Sequence, residues 1–395
     1  MYRSRTLSLV IASLFIVGMV LGACTPAAPA TQPTSAPAAT NVPAASSFDA
    51  DAALKALETT VSGTGPNGEK ADTAASVTLT DAELEQIKGM GATAAIVMHY
   101  GGNDWSSAQI AGLKDQFTKM GIEVIAVTDA NFKPEKQVSD LETVLAKKPD
   151  IIVSIPTDPV ATADAYRKAV EQGVKLVFMD NIPSGFTPGV DYVSLVSADN
   201  YGNGVASGLL MGKTLNGQGK IGLIYHAADF FVTQQRYNGF KTTITENFPG
   251  IEIVEEQGIG GPDFAGDAEK AASAMLTKYP DLNGIWAVWD VPAEGVMAAL
   301  RSADRSDVVV ITQDLGTNVA VEMAKDGVIK GLGAQRPFDQ GVTEALLAGY
   351  ALWGKQAPAY VALYALPVTH DNVLEAWKTV YHADPPADLA NAYAK

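Results

Sequence analysis

The feature that most constrains this chain is an alternation running from residue 93 to residue 352: short, almost purely apolar segments separated by longer ones with apolar residues at helical spacing. TAAIVMH (93–99) precedes a helical pattern over 106–120, and EVIAV (123–127) follows it. Val138, Leu141, Val144 and Leu145 lie at helical spacing before DIIVSI (150–155). Val160, Ala163, Tyr166 and Val170 do the same before KLVFMD (175–180), and YVSLVS (192–197) closes the series. A second series repeats the design, with KIGLIY (220–225), EIVEEQ (252–257), GIWAVW (284–289), DVVVIT (307–312) and VIKGLGA (328–334). Helical patterns fall at 201–215, 234–248, 265–278, 293–301, 318–326 and 340–352. Strands covered by helices on both faces read as continuous apolar runs, so the pattern predicts an α/β fold with parallel sheets. Two series of similar length predict two Rossmann-like halves. In such sheets ligands sit outside the carboxyl ends of strands, which is where functional residues are expected.

The amino terminus is built differently. Residues 6–23 are uncharged and largely apolar after Arg3 and Arg5, and end in Leu21-Gly22-Ala23-Cys24. A basic start, an apolar centre and small residues at the end describe an export signal. Its last four residues resemble the lipobox of bacterial lipoproteins, which implies cleavage before Cys24 and a diacylglyceryl group on its thiol. Cys24 is the sole cysteine, so an intrachain disulfide and a cysteine-rich metal site are excluded. Residues 25–48 are mostly Ala, Pro, Thr and Ser without apolar periodicity, a tether spanning roughly 70 Å at full stretch. Residues 49–91 read as an extension whose Thr80-Asp81-Ala82-Glu83 has capping-box form, with packing as its only expected role.

With Arg3 and Arg5 removed, the formal charge moves from −16 to −18. That balance disfavours nucleic acid, whose phosphates need Lys and Arg. Several enzyme signatures also fail on position. Gly217-Gln218-Gly219-Lys220-Ile221-Gly222 matches GxGxxG but precedes a strand instead of following one. Residues 208–214 resemble a phosphate loop but are one residue short and fall in a helical pattern. His99, His226, His370 and His382 form no ligand-spaced pair. The chain has no GxSxG elbow. No cofactor, no metal and no catalytic set are expected.

What recurs at the strand ends is a set of planar polar groups and rings. Asn103, Asp104 and Trp105 follow the first strand, Pro156-Thr157-Asp158 the third, and Asp180-Asn181 the fourth. Ser197-Ala198-Asp199-Asn200 follows the next. In the second half come Phe230, Phe231 and Arg236, then Trp289 with Asp290, then Asp314, then Gln335. A sugar or polyol hydroxyl both donates and accepts, so carboxylates, carboxamides and guanidinium can pair with neighbouring hydroxyls while a ring packs on the C–H face. Some of these residues have structural alternatives. Asp158 is expected to cap the following helix, and Asp199 is a second candidate. Only one of Phe230 and Phe231 is expected to face a ligand, and Phe231 is assigned that place.

The ordered set IPTDPVA, KLVFMD, VSADNYGNG, QQRYNGF, GIWAVWDVPAEGVMAAL, VVITQD and GAQRPFDQG resembles the type I periplasmic binding proteins of ABC transporters, particularly the ribose-binding group. The resemblance covers about residues 93–367. It implies ligand contacts at Asn103, Trp105, Asp180, Arg236, Asp314 and Gln335. Two departures stand at Trp289, where the ribose pattern has Asn, and at Asn181, where it has Arg. Both bear on which hydroxyls are read, and they point away from ribose itself. The resemblance further implies two lobes joined by three crossings near residues 197–199, 335–337 and 365–367. Lobe 1 is then 92–198 plus 336–365, and lobe 2 is 199–335 plus 366–395, with a ligand cleft between them. The expected function follows: an extracytoplasmic, lipid-anchored monomer closes on a sugar or polyol and delivers it to an ABC permease without chemistry. Two other readings stay open, a ligand sensor for a chemoreceptor or sensor kinase and a binder of a nucleoside or furanone signal, while the lack of a catalytic constellation disfavours an extracytoplasmic enzyme on the same fold. A transcription regulator of similar fold is excluded, because an export signal stands where a DNA-binding helix-turn-helix would.

Overall fold

The structure, a computed structural model, describes residues 48–394; the signal-like segment, Cys24 and the tether lie outside them. The chain opens with α1 (Ala50–Leu57), β1 (Asp72–Thr73) and α2 (Asp81–Lys88). The first α/β series is β2 (Thr93–Met98), α3 (Asp104–Lys119), β3 (Glu123–Asp129), α4 (Pro134–Leu145), β4 (Ile151–Ser154), α5 (Ala163–Glu171), β5 (Lys175–Met179) and β6 (Ser194–Ala198). The second is α6 (Asn200–Thr214), β7 (Gln218–His226), α7 (Phe231–Asn247), β8 (Gly250–Ile259), α8 (Phe264–Lys278), β9 (Gly284–Ala287), α9 (Asp290–Ser302), β10 (Val309–Gln313), α10 (Thr317–Ala324) and β11 (Ile329–Ala334). The chain ends with α11 (Pro337–Trp353), β12 (Tyr360–Leu363), β13 (Leu366–Val368), α12 (Val373–Tyr381) and α13 (Ala387–Tyr393).

These strands form two sheets, ordered β1-β12-β6-β5-β4-β2-β3 and β13-β11-β10-β9-β7-β8. All pairs are parallel except β11 with β13. The chain changes sheet three times: between Ala198 and Asn200, between Ala334 and Pro337, and between Leu363 and Leu366. Each sheet is covered by helices on both faces and has its own apolar cores. Phe117 and Leu113 fill one side of the first sheet, Tyr166 and Phe178 the other. Trp286 and Phe240 anchor one side of the second sheet, Ile285 and Val296 the other. Helix α11, reached after the second crossing, packs on α3 of the first lobe. The approach is so close that a Cβ on Gly112 would lie 2.0 Å from the Phe338 carbonyl oxygen.

Two local expectations need correction. The helix expected from Val160 begins at Ala163, because Asp158 Oδ1 accepts from the N–H of Val160 (2.8 Å) and of Ala161 (2.7 Å) and holds a turn there. Residues 49–91 are also more than a packed extension. Leu54 and Leu57 of α1 bury in the cluster containing Leu209 and Leu210, in the second lobe. The N–H groups of Ser62 and Gly63 then donate to Asp199, at 2.6 and 2.9 Å, where the chain first crosses. Beyond that point β1 pairs with β12, and Val77 and Ile87 enter the core of the first lobe. The segment therefore runs from one lobe to the other past the first crossing. Its capping box forms as expected: Thr80 Oγ1 accepts from Glu83 N–H, and Glu83 accepts from Thr80 N–H.

Candidate functional site

The carboxyl ends of both sheets face a cavity of about 300 Å³ between the lobes. A larger groove of about 700 Å³, lined by segments of 170–193 and 351–359, runs along the start of β5, the end of the sheet away from the strand termini. Its Asp191 is spent on Arg167. The interlobe cavity is the candidate site, on topology and on the polar groups that converge there.

Two aspartates at equivalent places define its floor. Asp180 ends β5 and Asp314 ends β10, and each has left-handed backbone geometry, with φ 58° and 63°. Asp tolerates that region better than most residues, and the turn aims each carboxylate off the strand end. Their partners differ. Arg236, on α7, donates from Nη1 to Asp314 Oδ2 (2.8 Å) and from Nη2 to Asp314 Oδ1 (3.2 Å). Its Nε donates to Asn200 Oδ1 (3.0 Å) and its Nη1 to the Val288 carbonyl (3.2 Å). Gln335 Nε2 donates to Asp314 Oδ1 at 3.0 Å. Asp180 has no ion pair among the described residues; its Oδ1 accepts from Ser197 Oγ (2.6 Å) and from Gln340 Nε2 (3.4 Å). Burial therefore pushes the Asp180 carboxyl up to about 6, against the Ser197 bond and the field of Arg236. Asn200 Nδ2 donates to Ser197 Oγ at 2.9 Å. A continuous set of hydrogen bonds thus joins Asp180 in one lobe to Asp314 in the other through the residues flanking the first crossing.

The wall is aromatic and assembled from both lobes. Phe132 meets Phe264 across the cleft, edge to face at 5.5 Å, and His99 stacks on Phe230 at 6.2 Å. Phe264 in turn packs against Trp289 at 4.9 Å. Burial holds the imidazoles neutral, lowering His99 to about 3, with a smaller effect from His226, and His226 itself to about 4. Among the described residues, Trp105 Nε1 and Gln335 Oε1 are buried without a protein partner. Such atoms are costly unless something bonds them, by about 1–3 kcal/mol each.

The residues singled out from sequence fall into two groups. Asn103, Trp105, Asp180, Arg236, Trp289, Asp314 and Gln335 line the cavity. Asn103 does so while also capping α3, its Oδ1 accepting from Ser106 N–H at 3.0 Å. Asn181 and Phe231 do not line it. Asn181 is buried beside the turn, with its N–H on the Met179 carbonyl. Phe231 is the first helical residue of α7, whereas Phe230 before it is extended and places its ring in the cavity, so the assignment between the two phenylalanines is reversed. Ser197 and Asn200, which belong to the strand-end set, and Gln340, which the sequence does not single out, hold Asp180 and Arg236. Asp158 and Asp199 are helix or turn caps, each accepting backbone N–H bonds. Among the described residues no group of three or more His, Cys, Asp or Glu could hold a metal ion, and no helix is long and apolar enough to cross a membrane.

Two sheets flanked by helices, three crossings and a polar cleft at the strand ends define a bilobal binding architecture. The chain belongs to the periplasmic binding protein family, whose "Periplasmic binding protein domain" matches residues 94–356. It is 25% identical over 270 residues to the ribose import binding protein of Salmonella typhimurium, covering 68% of this chain and 87% of that protein. It is 29% identical to the D-ribose/D-allose-binding protein of Pseudomonas aeruginosa, over 52% of this chain and 64% of that one. Among solved structures, the arabinose-binding protein AraP of Geobacillus stearothermophilus superposes with a TM-score of 0.63 at 26% identity, covering 71% of this chain and 98% of that one. A solute-binding protein of Agrobacterium vitis bound to α-D-tagatopyranose gives 0.68 at 23% identity, over 73% and 99% of the two chains, a likeness of fold.

Proposed function

We propose that the protein captures a neutral sugar or polyol between its lobes and hands it to an ABC permease, tethered to the membrane by lipid on Cys24. One observation carries the reading: an interlobe cavity whose floor is Asp180, Arg236, Asp314 and Gln335 and whose wall is aromatic. Among the described residues, Gln335 Oε1 is a buried acceptor and Trp105 Nε1 a buried donor without a protein partner, and Asp180 Oδ2 and Asn103 Nδ2 make no hydrogen bond to the protein. Hydroxyl groups satisfy both kinds. Arg236 is already matched by Asp314, and Asp180 adds uncompensated negative charge, so an acid sugar or sugar phosphate is disfavoured. The sugars named for the relatives, which include ribose, allose, arabinose and tagatose, agree with this class. Trp289, which lines the cavity where the ribose pattern has Asn, turns the selectivity away from ribose toward another pentose, a hexose or a linear polyol. The site binds and releases its ligand unchanged.

A thermal-shift screen of pentoses, hexoses, polyols and nucleosides tests this. A ligand at a hundred times its Kd stabilises the native state by about 2.7 kcal/mol, a readily measured rise in Tm. A sugar or polyol is expected to produce that rise, and uronic acids and sugar phosphates are not. A panel in which no sugar or polyol shifts Tm would refute the proposal.

A further inference from the structure

Helix α10 has no cap of its own. Its N-cap is Gly316, which has no side chain to accept from the first turn. A Cβ on Gly316 would lie 2.0 Å from Asp290 Oδ2, so a side chain there would require Asp290 to move. The acceptor comes from the other lobe. Asp104, the first residue of α3, reaches across the cleft, and its Oδ2 accepts from both Thr317 N–H and Thr317 Oγ, each at 2.7 Å.

We infer that Asp104 is a closure latch, a helix cap supplied in trans that exists only while the lobes are together. The inference rests on the reading of the cavity as a closing ligand site. A cap within one helix stabilises open and closed states alike, whereas this one favours the closed state alone. The helix dipole adds to it, since a carboxylate is favoured at an amino terminus. Asp104 forms no ion pair among the described residues, so its charge is free for this bond.

The latch is also placed to sense the ligand. Asp104 lies between Asn103 and Trp105, which both line the cavity, and Thr317 is three residues beyond Asp314. A ligand ordering those two loops sets acceptor and donor at their bonding distance. Asp104 is thus a positioning residue: it holds the lobes shut round the ligand without itself lining the cavity.

The test uses D-ribose, D-allose, D-tagatose, D-arabinose and allitol, with the sugar that raises Tm most as probe and tryptophan fluorescence in stopped flow as readout. Removing a cap of ordinary strength changes a closed-to-open ratio by roughly fivefold to thirtyfold. D104A is expected to speed dissociation by that factor, leave association within about twofold and leave the ligand-free Tm unchanged. T317S should retain wild-type release, and D104A/T317V should be no worse than D104A. Unchanged release in D104A overturns the latch, and so does a fall in ligand-free Tm without faster release, which would mark an ordinary structural cap. A second arm needs no ligand: spin labels at Glu135→Cys and Lys270→Cys, both exposed sites on opposite lobes, in a Cys24→Ser background. A short interlobe distance that is depleted by D104A supports the latch even if every sugar fails. A wild type with no short-distance population, with or without sugar, or one that D104A leaves unaltered, overturns it.

Discussion

Asp180 and Asp314 are one design used twice, with opposite electrostatics. Each ends a central parallel strand, each has left-handed backbone geometry, and each is at least nine-tenths buried at the same cavity. Asp314 is held by a two-point bond from Arg236 and a third from Gln335, so its charge is answered within its own lobe. Asp180 has only a hydroxyl and a distant carboxamide, and burial raises its pKa to about 6. The difference separates two tasks that similar residues can perform. Asp314 belongs to the packing of the second lobe, while the first lobe holds a carboxylate with no ion-pair partner among the described residues, the group that the proposed sugar site keeps in reserve.

The largest expected effect breaks that pairing. Removing one partner of a buried ion pair costs about 3–5 kcal/mol, because it leaves an unanswered charge. Asp314→Asn strands Arg236, and Arg236→Met strands Asp314 together with Asn200 Oδ1 and the Val288 carbonyl. Both variants should lose stability of that order in urea unfolding. Asp180→Asn should change it by less than about 1 kcal/mol at pH 7, because a neutral amide suits the site as well as a charge without a counter-ion. All three should abolish the sugar response. If Asp180→Asn costs as much as Asp314→Asn, the division of labour is wrong.

This asymmetry was half legible in the sequence. The strand-end positions of Asp180 and Asp314 could be read, because buried parallel strands are continuous apolar runs whose last polar residue marks the carboxyl end. Which aspartate faces a guanidinium could not, since Arg236 lies 78 residues before Asp314 and meets it only through the packing of α7 on the second sheet. The distinction between Phe230 and Phe231 turns on where α7 begins, a single-residue boundary that apolar spacing does not resolve. Strand β1 is Asp72–Thr73, two polar residues that become a strand only by pairing with β12. Strands β12 and β13 are not legible in the sequence, because YVAL and LPV are short and flank a crossing instead of alternating with helices. The partnership of Asp104 and Thr317 joins residues 213 apart in different lobes, and no local pattern encodes it.

Titration sharpens the comparison with a smaller effect. A carboxyl near 4 when unfolded and near 6 when folded holds a proton in the native state across that window. Stability from this group therefore falls as pH rises from about 4 to about 6 and is constant above. His99 and His226, lowered by burial, act the other way: the unfolded chain binds their protons below about 6.5, so their effect is lost stability on acidification. The informative quantity is the difference between wild type and Asp180→Asn. Unfolding free energies of the two are expected to diverge in favour of wild type by up to about 3 kcal/mol on going from pH 7 to pH 4. Parallel curves would place the Asp180 carboxyl at its ordinary value.

The smallest expected effect lies in the carboxamides behind the two aspartates. Gln335 donates to a charged, paired carboxylate at 3.0 Å, and Gln340 reaches Asp180 only at 3.4 Å, while both leave Oε1 without a partner. A hydrogen bond to a charged group is worth about 1.5–3 kcal/mol, and a marginal one much less. Methionine at either position keeps the volume and removes the unpaired acceptor, which returns part of that loss. Gln335→Met should therefore cost about 1 kcal/mol in urea unfolding, and Gln340→Met should fall within about 0.5 kcal/mol of wild type. Ligand affinity should separate them further, since Gln335 lines the cavity and Gln340 does not. An equal loss of stability in both variants would mean that Asp180 depends on its carboxamide as much as Asp314 does, and the reserve assigned to the first lobe would not exist.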